Sequence, residues 1–180
     1  MIRIKKHNHL AKAVFLIAGI ILALQLNAQQ SEIRMQSVFL YNFTRLVSWP
    51  ADYQQGDFVM AVYGSTPMLE EIESLAATRK AGTQNIVARK FNSINELSKC
   101  HIIYIPRGES RNTTNIVNGL KEKNIKALIV TDSRNSIKSG AVINFTIVDG
   151  KQRFELSQEN AKIMGLTLGG EITRLAILVD

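Results

Sequence analysis

Three short apolar runs constrain this chain more than any other feature: FVMAVY over residues 58–63, HIIYI over 101–105 and ALIVT over 127–131. Each is too short for a helix, apolar at nearly every position, and closed by a residue that breaks or turns the chain, Gly64, Pro106 and Asp132 in turn. Runs that are apolar on both faces belong to strands covered from both sides, as in a parallel sheet sandwiched by helices. Helical patterns separate them. Ser65-Thr66-Pro67 opens a helix reaching about residue 77, with Pro67 early, where its missing N–H costs little, and residues 111–123 read as another. Residues 85–91 read as a strand and 94–97 as a short helix. Residues 141–148 alternate as a strand whose hairpin partner is 152–156 across the Asp149-Gly150 turn. The tail reads as helix over 158–164, a break at Gly165, and helix again over 172–179. These elements predict an α/β fold: a single-domain helix/sheet/helix sandwich with a mixed, mostly parallel sheet and an antiparallel hairpin near the C-terminus.

The first 28 residues have a different character. Arg3, Lys5, Lys6 and Lys12 precede the apolar run 13–26, and Leu26-Asn27-Ala28 follows, the order of a secretory signal with cleavage expected after Ala28. Fourteen apolar residues at a rise of about 1.5 Å span roughly 21 Å, short of a bilayer core of about 30 Å, so a cleaved leader fits better than an anchor. The expected organisation is an export leader over 1–28 and one exported domain over 29–180. The charge of +7 changes meaning with it. Removing four of the 22 basic residues leaves 18 against 15 acidic ones, or +3, which argues against a nucleic-acid partner.

Catalytic chemistry has little to draw on. His7 and His9 leave with the leader, so His101 is the one histidine of the expected mature chain, and it begins an apolar strand. Cys100 is the one cysteine, which excludes a multi-cysteine metal site or an internal disulfide. His101 therefore reads as a strand-end histidine and Cys100 as a core residue or a bridge between chains. No phosphate-binding glycine fingerprint is present, and Gly169-Gly170 reads as a tight turn. No catalytic, metal-binding or cofactor-binding residue is assigned, and an enzyme is not expected.

Two places remain for contacts. The helix expected over residues 31–49, with Ser31 as a cap and Pro50 as its stop, places Tyr41, Arg45 and Trp49 on one face at four-residue spacing. Core packing explains them, and so does a contact surface for a partner or a small aromatic ligand, because such side chains are enriched at interface hot spots. The second place is the sheet's carboxyl edge at Gly64 and Asp132, where open α/β sheets bind ligands, although a turn with Ser133 also explains Asp132.

The stretch YNFTRLVSWP over 41–50 resembles the opening helix signature of the YfiR-type exported proteins. Further matches follow in order: VYG at 62–64, CHIIYI at 100–105, ALIVTD at 127–132, SGAVINF at 139–145, and RFEL with Asn160-Ala161 near the end. The resemblance covers about residues 33–178, and the ordered set carries it rather than any one motif. It implies a periplasmic regulatory protein that can form a homodimer. By the same resemblance, it would repress a membrane-bound diguanylate cyclase by binding its periplasmic sensor domain, lowering cyclic-di-GMP. Disulfides of the kind found in that family would need partners that Cys100 lacks here. The alternative is a periplasmic small-ligand binding or sensor module.

Overall fold

A computed structural model of the chain describes residues 5–179. Helix α1 (Lys5–Leu46) leads into strand β1 (Val47–Ser48), and after a 3-10 turn comes β2 (Phe58–Tyr63). Then follow α2 (Met68–Thr78), β3 (Lys80–Ala81), β4 (Gln84–Phe91), β5 (Ile102–Ile105), α3 (Thr113–Glu122) and β6 (Leu128–Thr131). The chain closes with β7 (Ile143–Val148), β8 (Lys151–Leu156), α4 (Gln158–Ile163), β9 (Thr167–Leu168), α5 (Gly170–Leu175) and β10 (Ile177–Leu178). Among these residues no helix is long and apolar enough to cross a membrane.

The main sheet has the order β10-β8-β7-β6-β5-β2-β4-β3. Strands β4, β2, β5, β6 and β7 run parallel, while β8 returns antiparallel to β7 and β3 antiparallel to β4. The expected mixed, mostly parallel sheet is therefore present. Its three apolar runs form its centre: every residue of β2, β5 and β6 is buried. The β2–α2–β4 and β5–α3–β6 crossovers leave the sheet's middle in opposite directions, which places α2 and α3 on opposite faces when both are right-handed. Helix α1 packs against α2 and α5. Between β7 and β8, Asp149 and Gly150 both take positive φ, 51° and 71°, the two-residue turn whose twist matches that of a hairpin.

Three expectations are corrected. Ser31 does not cap a helix; it stands inside α1, because nothing from Lys5 to Leu46 interrupts the helical ladder. The helix stops at Leu46 rather than reaching Trp49. Val47 and Ser48 pair with Leu168 and Thr167, and the Gly169 N–H donates to the Leu46 carbonyl at 2.9 Å. The tail is not helical to residue 179: after α5, Ile177 and Leu178 add a parallel edge strand beside Glu155 and Leu156. A short apolar run fits either state locally, and here the open edge of β8 selects the strand.

Candidate functional site

The strand order reverses between β2 and β5, since the chain crosses outward from β2 to β4 and then back to β5. At such a switch point the loops after neighbouring strands diverge and leave a crevice outside their carboxyl ends. A cavity of about 530 Å³ lies there. The loop after β2 contributes Ser65, Thr66 and Pro67, and the loop after β5 contributes Pro106, Arg107 and Glu109. Asp132 comes from the end of β6, and α1 supplies Glu32, Ile33 and Gln36. Gly64 makes the first turn possible. Its φ is +73°, and a Cβ there would come within 2.8 Å of the Glu109 carboxylate.

The buried polar groups form a short relay from α1 into the sheet. The Gln36 amide donates to Glu32 Oε1 at 3.2 Å, and the Tyr104 hydroxyl donates to Gln36 Oε1 at 3.1 Å. Burial, with the nearby Asp132 adding to it, pushes the Tyr104 hydroxyl far above the usual phenol range. Arg107 Nε donates to the Asp132 backbone carbonyl at 3.2 Å. Burial raises the Asp132 carboxyl, against the opposing pull of the Arg107 guanidinium and of the neighbouring Tyr104 hydroxyl. Its Oδ1 is buried with no hydrogen-bond partner among the described residues. A second cavity, of about 680 Å³, shares Glu32, Arg107 and Asp132 and extends toward β7 and β8. There Asn144 accepts from the Ser133 N–H at 2.9 Å and donates to Glu155 Oε2 at 2.7 Å.

The five contact candidates separate into three locations. Gly64 and Asp132 do share the carboxyl edge. Tyr41 and Arg45 lie together on α1, with the Arg45 guanidinium 5.6 Å from the Tyr41 ring centroid and Arg79 at 5.7 Å. Trp49 is a correction: it is not on their helix face but buried, because the chain has already left the helix. Its Nε1 donates to the His101 carbonyl at 2.9 Å, and its ring meets Phe58 edge-on at 5.1 Å. Tyr104, Arg107, Gln36 and Glu32 were not singled out from the sequence. Tyr104 carries the one side-chain hydroxyl in the run IIYI, and a buried phenol needs a partner, so that signal was legible.

His101 and Cys100 are both interior. Cys100 is fully buried, and burial pushes its thiol up to about 12, so a bridge to another chain would require β5 to open. The Val59 N–H donates to His101 Nδ1 at 3.0 Å, which makes Nδ1 an acceptor and leaves Nε2–H to donate to the Tyr53 carbonyl at 2.8 Å. Burial holds this imidazole below its ordinary value of 6.5; the Tyr53 contact opposes that shift and Lys99 adds to it. Below about pH 6.5 the unfolded chain takes up a proton that the folded ring resists. Stability contributed by the neutral ring is therefore present above that pH and is lost as pH falls toward the folded value, by at most about 1.4 kcal/mol per pH unit. Urea midpoints at pH 7.5 and pH 5.0 should separate more in the wild type than in His101→Gln. Equal separations would assign the pH dependence elsewhere.

A family model described as DUF4154, YfiR/HmsC-like, matches residues 33–177. No curated protein matches the chain. The matched span runs from the Ile33 wall of the cavity through every strand of the main sheet, with β10 included up to Ile177. A match over so much of the sequence, beginning in α1 and ending at the last edge strand, places this chain in the YfiR/HmsC-like family.

Proposed function

We propose that the protein is a periplasmic, non-enzymatic regulator that binds and represses the sensor part of a membrane signalling protein, a diguanylate cyclase in cyclic-di-GMP signalling. The observation that carries this reading is the family match over residues 33–177, a family that suggests regulation of this kind. Export follows from the leader over residues 1–28 with cleavage after Ala28, and the domain that acts is 29–180. The surface offered to the partner is the Tyr41 and Arg45 face of α1. Arg45 is exposed and Tyr41 half-buried, so both are accessible without unfolding the domain.

In-cell crosslinking of the tagged protein, followed by mass spectrometry of the trapped species, tests this reading. The expected product is a membrane protein with a periplasmic sensor domain and a cytoplasmic cyclase. A Tyr41→Ala, Arg45→Ala double variant should lower its yield while the folded protein persists. Recovery of a second copy alone would overturn the regulator reading in favour of a homodimeric ligand-binding module. That second reading has its own support in the cavity at the strand-order reversal, with an unpartnered buried carboxylate oxygen in its wall. A cleft of about 330 Å³ beside Arg45, lined by Phe39, Phe43 and Phe154, is where a small aromatic ligand would fit in that case.

A further inference from the structure

A cut after Ala28 makes Gln29 the first residue of the exported domain and turns its backbone nitrogen into a primary amine. Glutamine has a particular chemistry in that place, because its own carboxamide carbon can close a small lactam ring on that amine and expel ammonia. The structure leaves both groups free to react. Gln29 is exposed, and so is Gln30 beside it. Within α1 the Gln29 nitrogen donates to the carbonyl four residues earlier, and that carbonyl departs with the leader. Gln29 then heads the helix, where the N–H groups of the first turn have no acceptor inside the helix. The positive end of the helix dipole disfavours an ammonium there and favours the neutral, nucleophilic amine. Glu32, one turn on, and Glu70 and Glu71, which line a cleft of about 250 Å³ together with Gln29, pull toward the ammonium. Loss of ammonia into water is irreversible, so a small neutral fraction is enough to carry the reaction through.

We propose that Gln29 is a modification site and that the exported protein begins with a pyroglutamyl lactam. The α-amine of Gln29 attacks its own Cδ, and a bond forms between the backbone nitrogen and Cδ. The bond from Cδ to Nε2 breaks, and Nε2 leaves as ammonia carrying one amine proton. Nothing is oxidised or reduced, and no co-reactant is needed. The product has a consequence for the cavity at the strand-order reversal, whose wall Gln29 shares with Glu32, Glu109, Asp132 and Arg107. A free ammonium would add a second positive charge beside Arg107, whereas the lactam adds none and presents one N–H and one carbonyl. The inference rests on the leader reading within the proposed function and needs neither the membrane partner nor a bound ligand.

Mass spectrometry of the full chain, expressed with its own leader in an exporting bacterial host and purified through a C-terminal tag, tests this. The intact mass should correspond to a chain starting at Gln29 and lighter than its encoded mass by one ammonia. Fragmentation should place that loss on the first residue, which should also resist an amine-directed label. Gln29→Ala should give the full encoded mass from residue 29 and a labelled N-terminus, with wild-type circular dichroism, since the side chain is exposed. The same ammonia loss persisting in Gln29→Ala would place it elsewhere in the chain and overturn the site. A wild-type start at Gln29 with a free, labelled amine would overturn the cyclisation and leave the leader reading standing. A start at any other residue, or an uncleaved chain, would overturn both.

Discussion

Trp49→Ala is expected to cost about 3–5 kcal/mol of stability, the range for emptying a buried aromatic site. The residue is 8% exposed, and its ring packs edge-on against the stacked pair of Phe58 and His101, whose centroids lie 5.1 and 5.8 Å away and 4.2 Å from each other. Removing it leaves a cavity beside the Phe58 and His101 rings and deletes the bond to the His101 carbonyl. That carbonyl still accepts from the Leu128 N–H at 2.8 Å, so it is not orphaned, and the loss is chiefly one of packing. A domain of this size has about 5–15 kcal/mol to lose, so partner binding should disappear together with the fold. Trp49→Phe keeps most of the apolar volume and should be far milder. Tyr41→Ala and Arg45→Ala should differ in kind. Their mutual contact is a partly exposed cation–π pair worth about 0.5–1 kcal/mol, so each variant should stay folded. Chemical denaturation followed by circular dichroism measures all of these, and a Trp49→Ala midpoint close to wild type would refute the core placement of this residue.

Phe43→Ala should be nearly as damaging, about 3–5 kcal/mol. Phe43 is 1% exposed and is the point where α1 grips the hairpin: its ring lies 5.2 Å from Phe154 of β8 and 6.3 Å from Phe145 of β7. Phe39, one turn earlier, adds contacts to the same two rings at 5.8 and 6.0 Å. Truncating Phe43 removes the centre of this cluster, and the neighbours cannot collapse into the space without moving α1 off the sheet. Phe39 is only partly buried, so Phe39→Ala should cost clearly less. Equilibrium unfolding of the two variants side by side checks this, and equal losses would contradict the assignment of Phe43 as the anchor.

The centre of this fold was legible because its signals are local. FVMAVY, IIYI and LIVT are strands for the same reason that they look like strands: short runs, apolar on both faces, each stopped by a residue that cannot continue them. The Asp149-Gly150 hairpin and the α2 and α3 helices were readable in the same way. Trp49 is buried, as the core-packing alternative has it, but it is not on the α1 face, because the helical spacing was carried three residues past the end of α1 at Leu46. From the sequence, Val47 fits a helix or a strand, and it becomes a strand because Thr167 and Leu168, some 120 residues away, supply the hydrogen-bond partners. The tail strand at Ile177 has the same origin in the unpaired edge of β8. The candidate site shows the division most clearly. Asp132 and Gly64 were recognisable as strand-end residues, but Glu32, Gln36 and Arg107 become members of a site only when α1 lies across the switch point and aligns them with Tyr104. Patterns of hydrophobicity and turn chemistry act over a few residues, so the sequence alone determined the strand and helix inventory of the sheet's middle. Pairing partners and converging polar groups depend on residues far apart in the chain, and those the tertiary structure decided.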